Sequence, residues 1–129
     1  MAFTALNLSP EALKQYHPRE AVRRRRAETR VEVSRRRRRA LAAARKAAKL
    51  LKSEFGASEV ILFGSLARRG SFTLFSDIDL AARGIPSDRY LAAMETVLYL
   101  NVEFKIDLAE IETCPPAVLN NIEKDGRPL

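Results

Sequence analysis

Tryptophan is absent from this chain of 129 residues, and cysteine and histidine occur once each, as Cys114 and His17. A lone cysteine closes no internal disulfide, and one cysteine with one histidine does not make a zinc site. The expected setting is a reducing cytoplasm. No apolar run approaches the roughly 20 residues that cross a bilayer. Met1–Pro10 lacks a basic start followed by a long apolar core, so no signal peptide is expected. Five glycines and six prolines are too few for a low-complexity chain. His17, placed before Pro18 and far from any motif, reads as an exposed linker residue. No internal repeat is present.

What the chain has in excess is arginine, and it is unevenly placed. Residues 19–54 hold 15 Lys/Arg against 4 Asp/Glu, whereas residues 55–129 hold 7 against 11. The formal net charge of +7 therefore describes neither part. The sequence is a basic arm on a mildly acidic body, and only the arm could support nucleic-acid binding. The expected division is an Arg-rich helical extension over 1–40 and a single catalytic-looking domain over 41–129.

Ser9-Pro10-Glu11 has the form of a helix start, with His17-Pro18 interrupting that helix. Between Arg19 and Phe55 there is neither Gly nor Pro, and strong helix formers dominate. Leu41, Ala44, Ala48, Leu51 and Phe55 step by three and four and predict an apolar stripe that packs on a sheet. Gly56 is the expected cap. Arg23–Arg26 and Arg35–Arg39 circle the helix and repel one another, so this half either frays alone or orders against an acidic partner. A solvated arm is the first reading of these runs, a docking surface for an acidic protein the second. Phosphate contact is the third, because no aromatic residue lies between Arg19 and Lys52 to stack on bases.

Val60–Phe63 is short, branched and aromatic, as in a buried strand. Gly64 ends it where backbone can approach a ligand closely. Asp77 to Ala82 is the second predicted strand. Asp77 and Asp79, two residues apart, share a face, with Ile78 and Leu80 on the other. Paired carboxylates raise each other's pKa unless a cation separates them, and such oxygen sites suit Mg²⁺. Gly70–Ser76 is a loop with two aromatics, Phe72 and Phe75, open equally to acceptor or partner contact and to core packing. Tyr90, Leu91, Met94, Val97 and Leu98 form a helical stripe within 87–100, with Tyr90 and Met94 in the core. Val102–Leu108 is the third strand, alternating Phe104, Ile106 and Leu108 with Glu103, Lys105 and Asp107. Ala117–Lys124 is the last helix.

Gly64-Ser65, then eleven residues, then Asp77-Ile78-Asp79, resembles the signature of the polymerase-beta-like nucleotidyltransferases. The wording Gly-Ser-Leu-Ala-Arg and Ser-Asp-Ile-Asp-Leu is most similar to the minimal (MNT) members. The resemblance covers roughly Leu51 to the C-terminus. It implies an α/β fold: a small mixed sheet with helices mostly on one side, a short helix around Leu66–Arg69, and a long N-terminal helical extension. It implies a metal-binding, catalytic triad of Asp77, Asp79 and Asp107, the last matching the family's third acidic residue. Two Mg²⁺ ions and ATP are the implied cofactor and nucleotide donor. Gly64 and Ser65, with Arg68 or Arg69, are the implied nucleotide contacts; the extra arginine before Gly70 leaves open which one. The implied reaction moves AMP onto a tyrosine of a HEPN toxin, making this chain an antitoxin. The alternatives are a binding module that masks the toxin without catalysis, or transfer to a small molecule or RNA end.

Overall fold

The computed structural model describes residues 9–11 and 17–129. Two compact units divide between Glu32 and Val33. The first, as described, is helical from Pro18 onward, with every side chain exposed. Proline suits the first helical position because its missing N–H has no intrahelical acceptor there. The His17 carbonyl accepts from Ala21 N–H at 3.0 Å, so His17 is where the helix begins. Most of the helix expected from Ser9 lies outside the described residues.

Helix α1 spans Pro18–Phe55. Helical geometry runs through both arginine runs. Within the second unit α1 buries Ala40, Ala43, Ala44, Ala47, Ala48, Leu51 and Phe55. Five of these seven are alanines. Gly56 ends it at φ +76°, and Ala57 N–H closes onto the Leu51 carbonyl at 3.1 Å.

The sheet comprises β1 (Glu59–Phe63), β2 (Ile78–Arg83), β3 (Ile106–Glu110) and β4 (Arg127–Pro128). Its order is β3-β2-β1-β4, with β2 and β3 parallel and the other pairs antiparallel. Helix α2 (Tyr90–Leu98) follows a short 3₁₀ turn at Ser87–Arg89, and α3 (Pro116–Asp125) follows β3. Alternation along the strands divides the core. Val60, Leu62, Ile78, Leu80, Ile106 and Leu108 face α1 and α2. Ile61, Phe63, Ala81 and Ala109 face α3, which brings Val118, Leu119 and Ile122. Helices thus cover both faces, two on one and one on the other.

Several expectations shift. β3 starts at Ile106, not Val102. The Asn101 side-chain carbonyl accepts from Glu103 N–H (2.8 Å) and Phe104 N–H (3.1 Å), which folds this stretch into a turn and leaves Val102 exposed. β2 starts at Ile78, so Asp77 lies just before it. Leu66–Arg69 forms turns only: Ala67 and Arg68 N–H both return to the Gly64 carbonyl, and no helix develops. Phe72 is 5% exposed while Phe75 is 92% exposed. In α2 Leu91 is exposed and Ala93 occupies the core instead. β4 was not legible: two residues carry no period, and Gly126 permits it by close approach. A Cβ there would meet Ile61 Cγ2 at 2.7 Å.

Candidate active site

Strand register assembles one row across the sheet. Phe63 of β1 stands opposite Asp79 of β2, and Asp79 opposite Asp107 of β3. Adjacent strands lie about 4.8 Å apart, and paired residues point to the same face. That face is the one α3 covers, but α3 packs over the next row, Ile61, Ala81 and Ala109. The acid row is left at the sheet's rim. Asp107 is exposed, Asp79 half-buried and Asp77 exposed.

The carboxylates and the turn after β1 are built against each other. Gly64 sits at φ +75°, and a Cβ on it would overlap the Asp79 carboxylate, with Asp79 Cγ at 3.2 Å. Glycine is required twice over, by the dihedral and by the neighbour. Neither Ser65 N–H nor Leu66 N–H is used in a backbone hydrogen bond among the described residues. Free consecutive N–H groups in a turn form an anion-binding concavity.

The electrostatics centre on Asp79. Burial raises its pKa above the ordinary carboxylate value; Asp107 and Asp77 raise it further, and Lys105 and Arg68 oppose them. Lys105 Nζ lies 3.6 Å from Asp107 Oδ1, and Arg68 Nε lies 4.0 Å from Asp125 Oδ2 at the end of α3. Arg69 is exposed, with no hydrogen bond or ion pair among the described residues. No group of three or more carboxylate, imidazole or thiol side chains stands ready to hold a metal ion among the described residues. The donors are nonetheless of the right kind for Mg²⁺: hard oxygens, crowded enough that burial and like charge penalise ionisation at Asp79. A lysine ammonium already rests on Asp107, where a cation is favoured.

The family model described as polymerase beta, nucleotidyltransferase, matches residues 45–129. The chain belongs to the polymerase beta nucleotidyltransferase family. Among solved structures, a toxin–antitoxin with AMP-PNP matches at TM-score 0.55 and 19% identity, covering 66% of this chain and 70% of that one. A tri-AMPylated Shewanella oneidensis HEPN toxin in complex with MNT antitoxin matches at TM-score 0.51 and 17% identity, covering 68% and 69%. The toxin–antitoxin MntA–HepT matches at TM-score 0.51 and 16% identity, with the same coverage. Comparison with curated proteins gives no match. No described helix is long and apolar enough to cross a membrane.

Two arginines outside the matched segment support this candidate site, and the charge-run reading missed them. Arg36 lies in the second unit with its guanidinium carbon 4.5 Å from the Phe104 ring centroid and 6.0 Å from that of Phe72. Its Nη2 donates to the Ser76 carbonyl at 3.4 Å, one residue before Asp77. Arg39 Nε donates to both Glu103 carboxylate oxygens, at 2.7 and 3.1 Å. The two together anchor the segments that lead into Asp77 and Asp107. The sequence signal was thin, being only a three-residue spacing inside a run of five arginines. Arg36→Ala is expected to cost about 1–2 kcal/mol in urea unfolding, from the lost stacking and hydrogen bond. Arg38→Ala, at an exposed position, should stay within about 0.5 kcal/mol. Equal losses at the two positions would show that Arg36 is not an anchor.

Proposed function

We propose that this protein transfers AMP from ATP to a tyrosine hydroxyl of a HEPN toxin, acting as its antitoxin, with Mg²⁺ held by Asp77, Asp79 and Asp107. The observation that carries the reading is the register of Asp79 against Asp107, with Gly64 pressed on Asp79. Support for the acceptor comes from the matched folds, two of which belong to a toxin–antitoxin with AMP-PNP and to a tri-AMPylated HEPN toxin with its antitoxin.

Transfer forms a bond between the acceptor oxygen and the α-phosphorus and breaks the bond to the bridging oxygen of the β-phosphate, releasing pyrophosphate. The Ser65 and Leu66 N–H groups and the Ser65 hydroxyl would cradle the β- and γ-phosphates. Arg68, the one of the two arginines whose charge acts on Asp79, would neutralise the leaving pyrophosphate. Bound Mg²⁺ would supply charge neutralisation and a lowered acceptor pKa. Asp107, at the open end of the row, would receive the acceptor proton and pass it to water. Asp79, beside Asp107 in the row, would share the metal with Asp77 and Asp107.

Intact-mass measurement of the HEPN partner after incubation with this chain, Mg²⁺ and ATP tests the reading. Added AMP units are expected, and should be absent with Asp77→Ala plus Asp79→Ala. ATP turnover without mass on the toxin would overturn the acceptor. A tight complex with no turnover would overturn catalysis in favour of masking.

A further inference from the structure

The first arginine run, Arg23–Arg26, puts one side chain on each side of the helix, and two of the four line up with arginines outside the run. At 3.6 residues per turn, Arg19, Arg23, Arg26 and Arg30 fall within about 60° of arc. Every position on that arc between Pro18 and Glu32 is arginine, and all four side chains are exposed. The acids lie opposite. Glu20 is off the stripe and already held by Arg24 at 3.4 Å, and Glu28 and Glu32 fall on the far side. The stripe runs about 16 Å along the axis, in steps of about 4.5–6 Å. None of it lies in the segment that the family model matches.

We propose that this face binds the phosphate backbone of duplex nucleic acid without reading its sequence. Two features favour a polyphosphate over an acidic protein. A protein interface needs a buried apolar or aromatic anchor at its centre. Here the exposed apolar side chains are Val22 and Val31, nine residues apart and so on opposite sides of the helix. Phosphate gripping needs only spaced cations, and the guanidinium fork suits phosphate oxygens better than an ammonium does. A duplex is favoured over a single strand because the stripe has no aromatic side chain on which bases could stack. This surface stands apart from the transfer reaction, and its test does not depend on the acceptor proposed above.

The test is fluorescence anisotropy of the full chain with labelled DNA and RNA duplexes of about 20 base pairs, at several salt concentrations. Four phosphate contacts predict a slope of about −3.6 in log K against log salt, a loss of about 150-fold from 50 to 200 mM. Replacing all four residues (R19Q, R23Q, R26Q, R30Q) should flatten that slope and weaken binding at least tenfold at 50 mM. Each single Arg→Gln should remove about 0.9 from the slope, which keeps the test valid if the quadruple variant loses helicity. The matching Arg→Lys set should retain most of the binding. Binding to DNA, to RNA or to both sustains the proposal and names the source. Unchanged duplex binding by the glutamine variants overturns it. So does absent duplex binding accompanied by four-arginine-dependent capture of the HEPN partner, which would assign the stripe to an acidic protein.

Discussion

Asp79→Asn is expected to lower AMP transfer by about 10³-fold or more while raising the melting temperature at pH 7. The first effect follows from role. Asp79 stands in the row beside Asp107 and against Gly64, and metal ions that stabilise a phosphoryl transition state contribute several kcal/mol, each 1.36 kcal/mol being tenfold in rate. The second follows from its raised pKa. Burial, then Asp107 and Asp77, make the ionised form more costly in the folded protein than in the unfolded chain. Stability from this group is therefore fully present below the unfolded carboxylate value of 3.8 and is lost as pH rises through the higher folded value. Asparagine removes the penalty, so the gain should be present at pH 7 and vanish in acid below that value. Mg²⁺ with a non-hydrolysable ATP analogue should stabilise the wild type and not the variant. A variant less stable than wild type at pH 7 would show that Asp79 is a structural partner, not a strained ligand.

Gly64→Ala is expected to cost about 2–4 kcal/mol and more than about 10² in transfer, whereas Gly70→Ala costs only about 1–2 kcal/mol and little activity. The two glycines have nearly the same backbone, φ +75° and +76°. They differ in what a methyl group would meet: the Asp79 carboxylate at Gly64, and nothing within 4 Å at Gly70. The dihedral penalty is common to both, so the difference between the variants isolates the contact between the phosphate turn and the carboxylate. Urea unfolding and pyrophosphate release measure the two parts. Similar losses in both variants would show that backbone strain alone matters and that the close approach does not position Asp79.

Much of the site was legible because its residues are close in sequence or carry a strong period. The branched run Val60–Phe63, the alternation around Asp79 and the alternation around Asp107 each announce a strand and a face. The packed half of α1 was equally plain, since Leu41 to Phe55 repeats at helical spacing. Tyr90 sits in the core as read, with its hydroxyl donating toward the Ala82 carbonyl (3.0 Å) and Glu112 (2.9 Å). The missed pieces are those in which a local signal was overruled or absent. Phe72 stood open between partner contact and core packing because its partner, the Arg36 guanidinium, lies 36 positions away. Val102–Lys105 alternates like a strand, but Asn101 turns it with two hydrogen bonds. β4 is too short for any pattern.

The sequence by itself determined what the proposed site offers: hard oxygen donors at Asp77 and Asp79, a glycine-serine turn, and arginines nearby, because residue type and short spacing set what a side chain can ligate, with Asp107 added by the family resemblance. It determined the faces too, because alternation and helical period follow from local backbone geometry. Only the tertiary structure decided the rest. The parallel register that sets Asp79 beside Asp107 joins strands 28 residues apart, and nothing local specifies it. Arg36 and Arg39 became anchors only when α1 lay beside Phe104 and Glu103. Side-chain identity states what a residue offers; long-range packing, whose favourable contacts form only after the loops between them close, states what receives it.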